Sequence, residues 1–284
     1  MPDENRRGLP YLLVLLLLLI ALGGGAAAGI LGYIWITGGS GEASLSVEDA
    51  LATLEASEDT VADIVGTAIV DVANTVIADA VAVAVAEAVD TSVAAAMEAV
   101  APASEPVEFS IIAEESLASF TLEEDLRGRR TTVIGSTKEL GGAVTVDLAS
   151  PSASVVGTII VNARTLETDN NFRNRALRSQ ILKSAQDEFE FIVFEPRALS
   201  NFSADSVGVG ETIGFDITGD LTVVGVTRSV AFNAEVTLDS ETQISGSASV
   251  NLLYADFGLV IPDVPSVANV TDDVTLSLEF VARA

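Results

Sequence analysis

Hydrophobic and polar positions change their rhythm three times along the 284 residues of this chain. Residues 11–36, YLLVLLLLLIALGGGAAAGILGYIWI, are apolar without interruption. Residues 42–104 mix Ala, Val, Thr and Ile with acids and hold no aromatic residue. From Val107 onward apolar residues recur at every second position, the period that puts them on one face of a β-strand. Such alternation marks Phe109 and Ile111; Phe120 and Leu122; Val144, Val146 and Leu148; Ile159 and Val161; Phe189, Phe191 and Val193. It returns in Ala248 to Leu253 and in Val274, Leu276, Leu278 and Phe280. The clearest stretch is Phe215 to Val236, FDITGDLTVVGVTRSVAFNAEV. Val230, Phe232, Ala234, Val236 and Leu238 alternate there, and Gly219 and Gly225 fall where a bulge or tight turn would exclude a side chain. The pattern predicts an antiparallel hairpin within an all-β barrel or sandwich.

One segment breaks the alternation. Thr168, Asp169, Asn170 and Asn171 offer helix N-caps before residues 172–182, where Phe172, Leu177, Ile181 and Leu182 predict a short helix across a barrel end.

The run 11–36 carries no charge and at ~1.5 Å per residue reaches roughly 39 Å as a helix, enough to span a bilayer. Arg6 and Arg7 precede it and no further Lys or Arg occurs before Arg127, which predicts a cytoplasmic N-terminus (1–10) with the remainder outside, periplasmic or extracellular. Tyr11, Tyr33 and Trp35 suit the two interfaces, and Gly25, Gly29 and Gly32 suit a small-residue helix contact. The rival reading is a cleaved signal peptide, with Ala26-Ala27-Ala28 before the cut. Both export the rest.

Residues 37–106 read as a spacer. TGGSG (37–41) is a flexible break, and Glu55, Asp63, Asp71, Asp79 and Glu87 recur every eight residues, a period that drifts around a helix and holds no coiled-coil seam. Its Ala content favours a helix, while the Val-Ala alternation from Val81 to Ala86 would equally suit a strand, and two roles stay open: a solvated acidic spacer that lifts the following domain off the membrane, or a self-associating stalk.

Composition narrows the chemistry. Fourteen basic against 41 acidic residues give a formal net charge of -27, which opposes binding to phosphate backbones and sets nucleic acid aside. There is no Cys and no His, so thiolate nucleophiles, Ser-His-Asp triads, disulfides, a lipobox and most zinc sites are excluded. Glu123-Glu124-Asp125 and Asp272-Asp273 lack the spacing of a calcium loop and read as surface charge. No aromatic groove accompanies the carboxylates, so no glycosidase is expected. No catalytic residue, metal or cofactor is implied.

Several pieces together resemble one family. They are FSI (109–111), VNARTLETDNNFRNRAL (161–177), FEFIVFEP (189–196), ITGDLTVVGVTRSVAF (217–232), YADFGL (254–259) and VTDDVTLSLEF (270–280). In this order and spacing they are similar to the YceI-like family of bacterial lipocalin-like β-barrels, some members of which bind polyisoprenoid lipids. The likeness covers about 107–284. Where many members have Asp-His-Leu in the helix segment, this chain has Arg175-Ala176-Leu177.

The resemblance implies an antiparallel lipocalin-like β-barrel with a capping helix, holding an isoprenoid or fatty acyl chain in its interior. On that reading Phe109, Ile111, Phe120, Val144, Val146, Val161, Leu177, Phe191, Phe215, Val230, Phe232, Val250 and Leu252 line the chain. Arg173, Arg175 and Arg178 could meet a headgroup at the mouth. The alternative is a cell-envelope interaction module whose barrel is filled by its own side chains, since alternation does not separate a hollow barrel from a solid one.

Overall fold

In a computed structural model of the chain, residues 37–56 and 106–284 are described; the run 11–36 and most of the spacer lie outside the described residues. Among the described residues no helix is long and apolar enough to cross a membrane.

The alternating segments become strands: β1 (Val107–Ile111), β2 (Leu117–Leu126), β3 (Arg129–Thr137), β4 (Leu140–Gly141), β5 (Ala143–Val146), β6 (Val155–Val156) and β7 (Ile159–Asn162). After the helical segment come β8 (Phe191–Ser200), β9 (Thr212–Val223), β10 (Val226–Ser240), β11 (Gln243–Leu253), β12 (Val267–Ala268) and β13 (Asp273–Arg283). Every pairing among the described strands is antiparallel. The hairpin read from the sequence is β9–β10, in register from Val226–Val223 to Thr237–Thr212. Its two-residue turn, Val224-Gly225, has φ of +50° and +72°. Positive φ at both positions is the geometry whose twist matches that of paired strands.

The ladder runs β7–β8–β9–β10–β11–β13–β2–β3 and curls strongly, so that apolar side chains converge inside. Its ends meet along the run 129–141: β3 pairs with β2, and β4, just beyond it, pairs with β7. This seam is thin. It consists of Leu140–Val161 and Gly141–Ile160, with an isolated bridge at Ser136–Glu167. β1, β5 and β6 form a short flap off the end of β13.

The predicted helix is present but irregular. We label residues 47–56 helix α1 and Asn171–Ala176 helix α2. The Asn170 side chain caps α2 by accepting from the N–H groups of Phe172 and Arg173, and the chain continues through a π-helical turn, Leu177–Ile181.

The start of the spacer departs from the sequence reading. TGGSG was expected to be a flexible break, yet residues 38–51 are seated on the outside of the curled sheet. Gly39 and Gly41 have φ of +61° and +82°, and the Arg178 guanidinium fills the space where a Gly41 side chain would begin. Glycine is required here for conformation and close approach. Ser46 then caps α1: its Oγ accepts from Asp49 N–H and donates to the Asp49 carboxylate. Val47 and Ala50 are buried against Ile160, with Leu51, Phe191 and Val193 packed around them.

Candidate functional site

The interior of the curled sheet holds an apolar cavity of about 280 Å³. Among the described residues no charged side chain lines it, and the polar lining is limited to Ser119, Ser154, Ser277 and Tyr254. Burial raises the pKa of the Tyr254 hydroxyl, and the Asp272 carboxylate adds to the shift, so this phenol stays neutral. Among the described residues no three acidic side chains gather in a metal-binding cluster.

Local sequence explains the lining. In β9 the inward positions are Ile213, Phe215, Ile217, Leu221 and Val223; in β10 they include Phe232, Ala234, Val236 and Leu238. Alanine at 234 leaves room that a larger side chain would fill. The π turn of the helical segment brings Leu177, Ile181 and Leu182 to one end, while Phe202 stacks on Phe215 with ring centroids 5.1 Å apart.

Nine of the thirteen expected lining residues face the cavity: Ile111, Phe120, Val144, Val146, Val161, Leu177, Phe215, Phe232 and Leu252. Four do not. Phe109 is fully buried in a second cluster with Leu238, Ile244 and Ala282; Leu238 and Ile244 reach the cavity wall, and Phe109 does not. Phe191 points outward beneath α1, because β8 presents Ile192 and Phe194 to the interior instead. Val230 and Val250 border a shallow outer concavity beside Phe257, a residue that also lines the cavity and so stands between the two spaces. The turn Tyr254–Phe257 folds back onto β10 and β11 to place it there.

The three arginines do not line the cavity either. Arg173 forms ion pairs with Glu124 at 2.6 Å and Asp169 at 2.7 Å. Glu124, read from the sequence as surface charge, is buried by this pairing. Arg178 is buried, donates from Nε to the Gly38 carbonyl at 2.7 Å, and leaves Nη1 without a hydrogen-bond partner among the described residues. Burial, and then the neighbouring Arg175 charge, hold its pKa below the ordinary arginine value. Arg175 is half-buried beside it. The headgroup role thus has no support from their orientation.

Sequence reasoning missed a buried polar cluster outside the cavity. The Glu190 carboxylate, 1% exposed, accepts from Asn162 Nδ2 at 2.9 Å and from Ser44 N–H at 2.8 Å, and it also takes the Ser44 hydroxyl. Arg164 Nη1 lies 3.2 Å from it, while the same guanidinium donates to the Ser184 carbonyl and to Asp187. Every oxygen of the buried carboxylate is therefore matched to a donor, which is what makes its burial tolerable. Asn162-Ala163-Arg164 and Glu190 stand 28 residues apart at Asn162–Glu190, and only the closing of β7 onto β8 joins them.

The fold and its interior define a class: small antiparallel β proteins that wrap one apolar cavity and close it with a short helix. A family model described as the YceI-like domain matches residues 109–282, and the chain belongs to the YceI-like family. Among solved structures the chain is similar to Burkholderia cenocepacia BcnA (14% identity, 60% of this chain and 98% of that one, TM-score 0.48). It is similar also to a polyisoprenoid binding domain from Saccharophagus degradans (15% identity, 62% and 98%, TM-score 0.48). A Campylobacter jejuni YCEI protein is a third (18% identity, 53% and 84%, TM-score 0.41). No curated protein matches the chain in sequence.

Proposed function

We propose that this protein is a membrane-anchored, extracytoplasmic lipid-binding protein that holds a polyisoprenoid or other long-chain lipid inside the curled sheet. The observation that carries the reading is the cavity: about 280 Å³, lined predominantly by apolar side chains and by no charged one among the described residues. Ligand sites occupy ~300–1,000 Å³, so this space suits a single chain and is small for a double-chain lipid. Moving a chain from water into such a lining is favoured by ~0.8 kcal/mol per CH₂, with no nucleophile or metal needed. Membership of the YceI-like family, in which some proteins bind polyisoprenoids, points to the same ligand class. The apolar run 11–36 behind Arg6 and Arg7 supports the anchor and the outward orientation. The alternative of a solid interaction module fits less well, because its interior would be filled.

The test is extraction of the purified protein followed by mass spectrometry of the bound lipid. Wild type is expected to carry an isoprenoid or acyl species. Ala234→Phe, which places a ring in the cavity, is expected to lose it while keeping the β-sheet circular dichroism signal. Wild type purified from its native membrane with no lipid in it would defeat the proposal.

A further inference from the structure

We infer that residues 38–51 are a clasp across the seam of the curled sheet, and that its release opens the cavity to lipid exchange. The inference rests on the lipid-binding reading and adds the place where the ligand passes.

The seam is one of the weak lines in the wall, as short in pairing as β1–β13 and β5–β6. Most neighbouring strands share long ladders, whereas β4 and β7 share two residue pairs, Leu140–Val161 and Gly141–Ile160. The clasp covers one of them directly. Gly141 has no side chain, and Val47 Cγ1 lies 2.6 Å from the point where one would start. On the partner strand Ile160 is fully buried beneath Val47 and Ala50. The residues flanking Ile160, namely Ile159 and Val161, line the cavity. The clasp and the ligand space are thus separated by one strand.

The clasp also reaches the cap. Gly38 accepts from Arg178, the residue after Leu177, which lines the cavity from the π turn. Ser44 meets Glu190 at the start of β8 by two hydrogen bonds. One segment therefore ties the helical cap, the β8 wall and the β4–β7 seam together, with a carbonyl, a hydroxyl and an apolar contact respectively. Local opening draws on regions held by few hydrogen bonds, and the seam without its cover is such a region. The clasp begins at the second residue after the apolar run that ends at Ile36, so tension on the anchor would pull first on Gly38 and Ser44.

The geometry allows the clasp to be locked. Val47 Cβ stands 3.8 Å from the ideal Cβ position of Gly141, a separation suited to a disulfide, and the chain has no other cysteine to compete. Full-length V47C/G141C, reconstituted in phospholipid nanodiscs, is loaded in its reduced form with NBD-labelled farnesol, and release is followed by fluorescence. Oxidation is expected to slow release about tenfold or more, and reduction to restore it. In S44A/V47E, release is expected to quicken by about tenfold, and amide hydrogen exchange at 159–162 to rise with it. Equal release from oxidised and reduced V47C/G141C, with uptake normal in both, would overturn the clasp and leave lipid binding standing. Failure of wild type and variants alike to take up NBD-farnesol would instead remove the lipid-binding reading, and the clasp's role with it.

Discussion

Phe194 and Phe232 meet edge to face, ring centroids 4.9 Å apart and planes at 65°, on the inner wall of the cavity. They belong to β8 and β10, with β9 between them, and Gly219 of β9 makes the contact possible. A Cβ on Gly219 would lie 2.7 Å from the Phe194 ring and 2.5 Å from the Glu195 carbonyl oxygen. The sheet is irregular at this point, since β8 shifts register between Pro196 and Ala198 opposite Gly219 and Thr218. The sequence suggested a bulge or turn for this glycine, and its task in the folded chain is to let one aromatic ring cross a neighbouring strand.

Gly219→Ala is therefore expected to destabilise the domain by about 1–3 kcal/mol, the usual range for overpacking, because the Glu195 carbonyl is backbone and cannot swing aside. Urea unfolding followed by tryptophan-independent far-ultraviolet circular dichroism measures it. An unchanged midpoint would show that β8 can shift at no cost.

Phe109 and Phe232 form a matched pair for separating core from lining. Both are large aromatics read from the same alternation, yet Phe109 lies in the second cluster and Phe232 on the cavity wall. Phe109→Ala is expected to cost about 3–5 kcal/mol and Phe232→Ala somewhat less, since the latter already borders open space. Lipid retention should follow the reverse order, unchanged per folded molecule in Phe109→Ala and altered in Phe232→Ala. Folded fraction and bound lipid, measured on the same preparation, give both numbers.

Glu190 supports a third prediction. Its carboxylate is buried among Asn162, Arg164 and Ser44, so Glu190→Ala leaves the Arg164 charge buried with a donor unmatched and releases Ser44. Removal of one member of a buried pair costs about 3–5 kcal/mol. Exposed pairs are worth ~0–1 kcal/mol, which makes Arg197→Ala, at the surface Arg197–Glu195 contact, a suitable control. A similar small loss in both variants would show that Glu190 is hydrated in solution.

The strands, the β9–β10 hairpin and the capping helix were legible because each has a sequence period or a turn signature of its own. Part of what was not legible followed from the segment 38–51 seated on the outer face. β7 reads Ile159, Ile160, Val161 and β8 reads Phe191, Ile192, Val193, Phe194, apolar on both faces, and alternation cannot choose a face when neither is polar. Phe191 was accordingly assigned inward although it lies under α1. The apolar outer face was itself the sign that something covers it. Phe109, Val230 and Val250 show a different limit: a period selects a face of a strand but gives no position along the barrel axis, where the cavity ends. The arginines were read by charge alone, and charge does not reveal that Glu124 and the Gly38 carbonyl are waiting for two of them.

The pH response of the surface follows from Asp216. Hydrogen bonds from Asn201 Nδ2 and then Asn233 Nδ2, at 2.6 and 2.5 Å, hold its carboxyl below the ordinary aspartate value of 3.8. A group whose pKa is depressed by folding contributes stability that is complete well above its unfolded value. That contribution fades as pH falls through the unfolded value and is gone below the folded one. Asn201 has a positive φ, +57°, so this carboxylate also helps to hold the strained turn that leaves β8. Asp216→Asn should therefore lower the melting temperature at neutral pH, with the gap from wild type closing as the pH is taken through and below 3.8. A gap of constant size down to the acid limit would mean that the Asp216 carboxylate contributes by packing or backbone geometry and not by its charge.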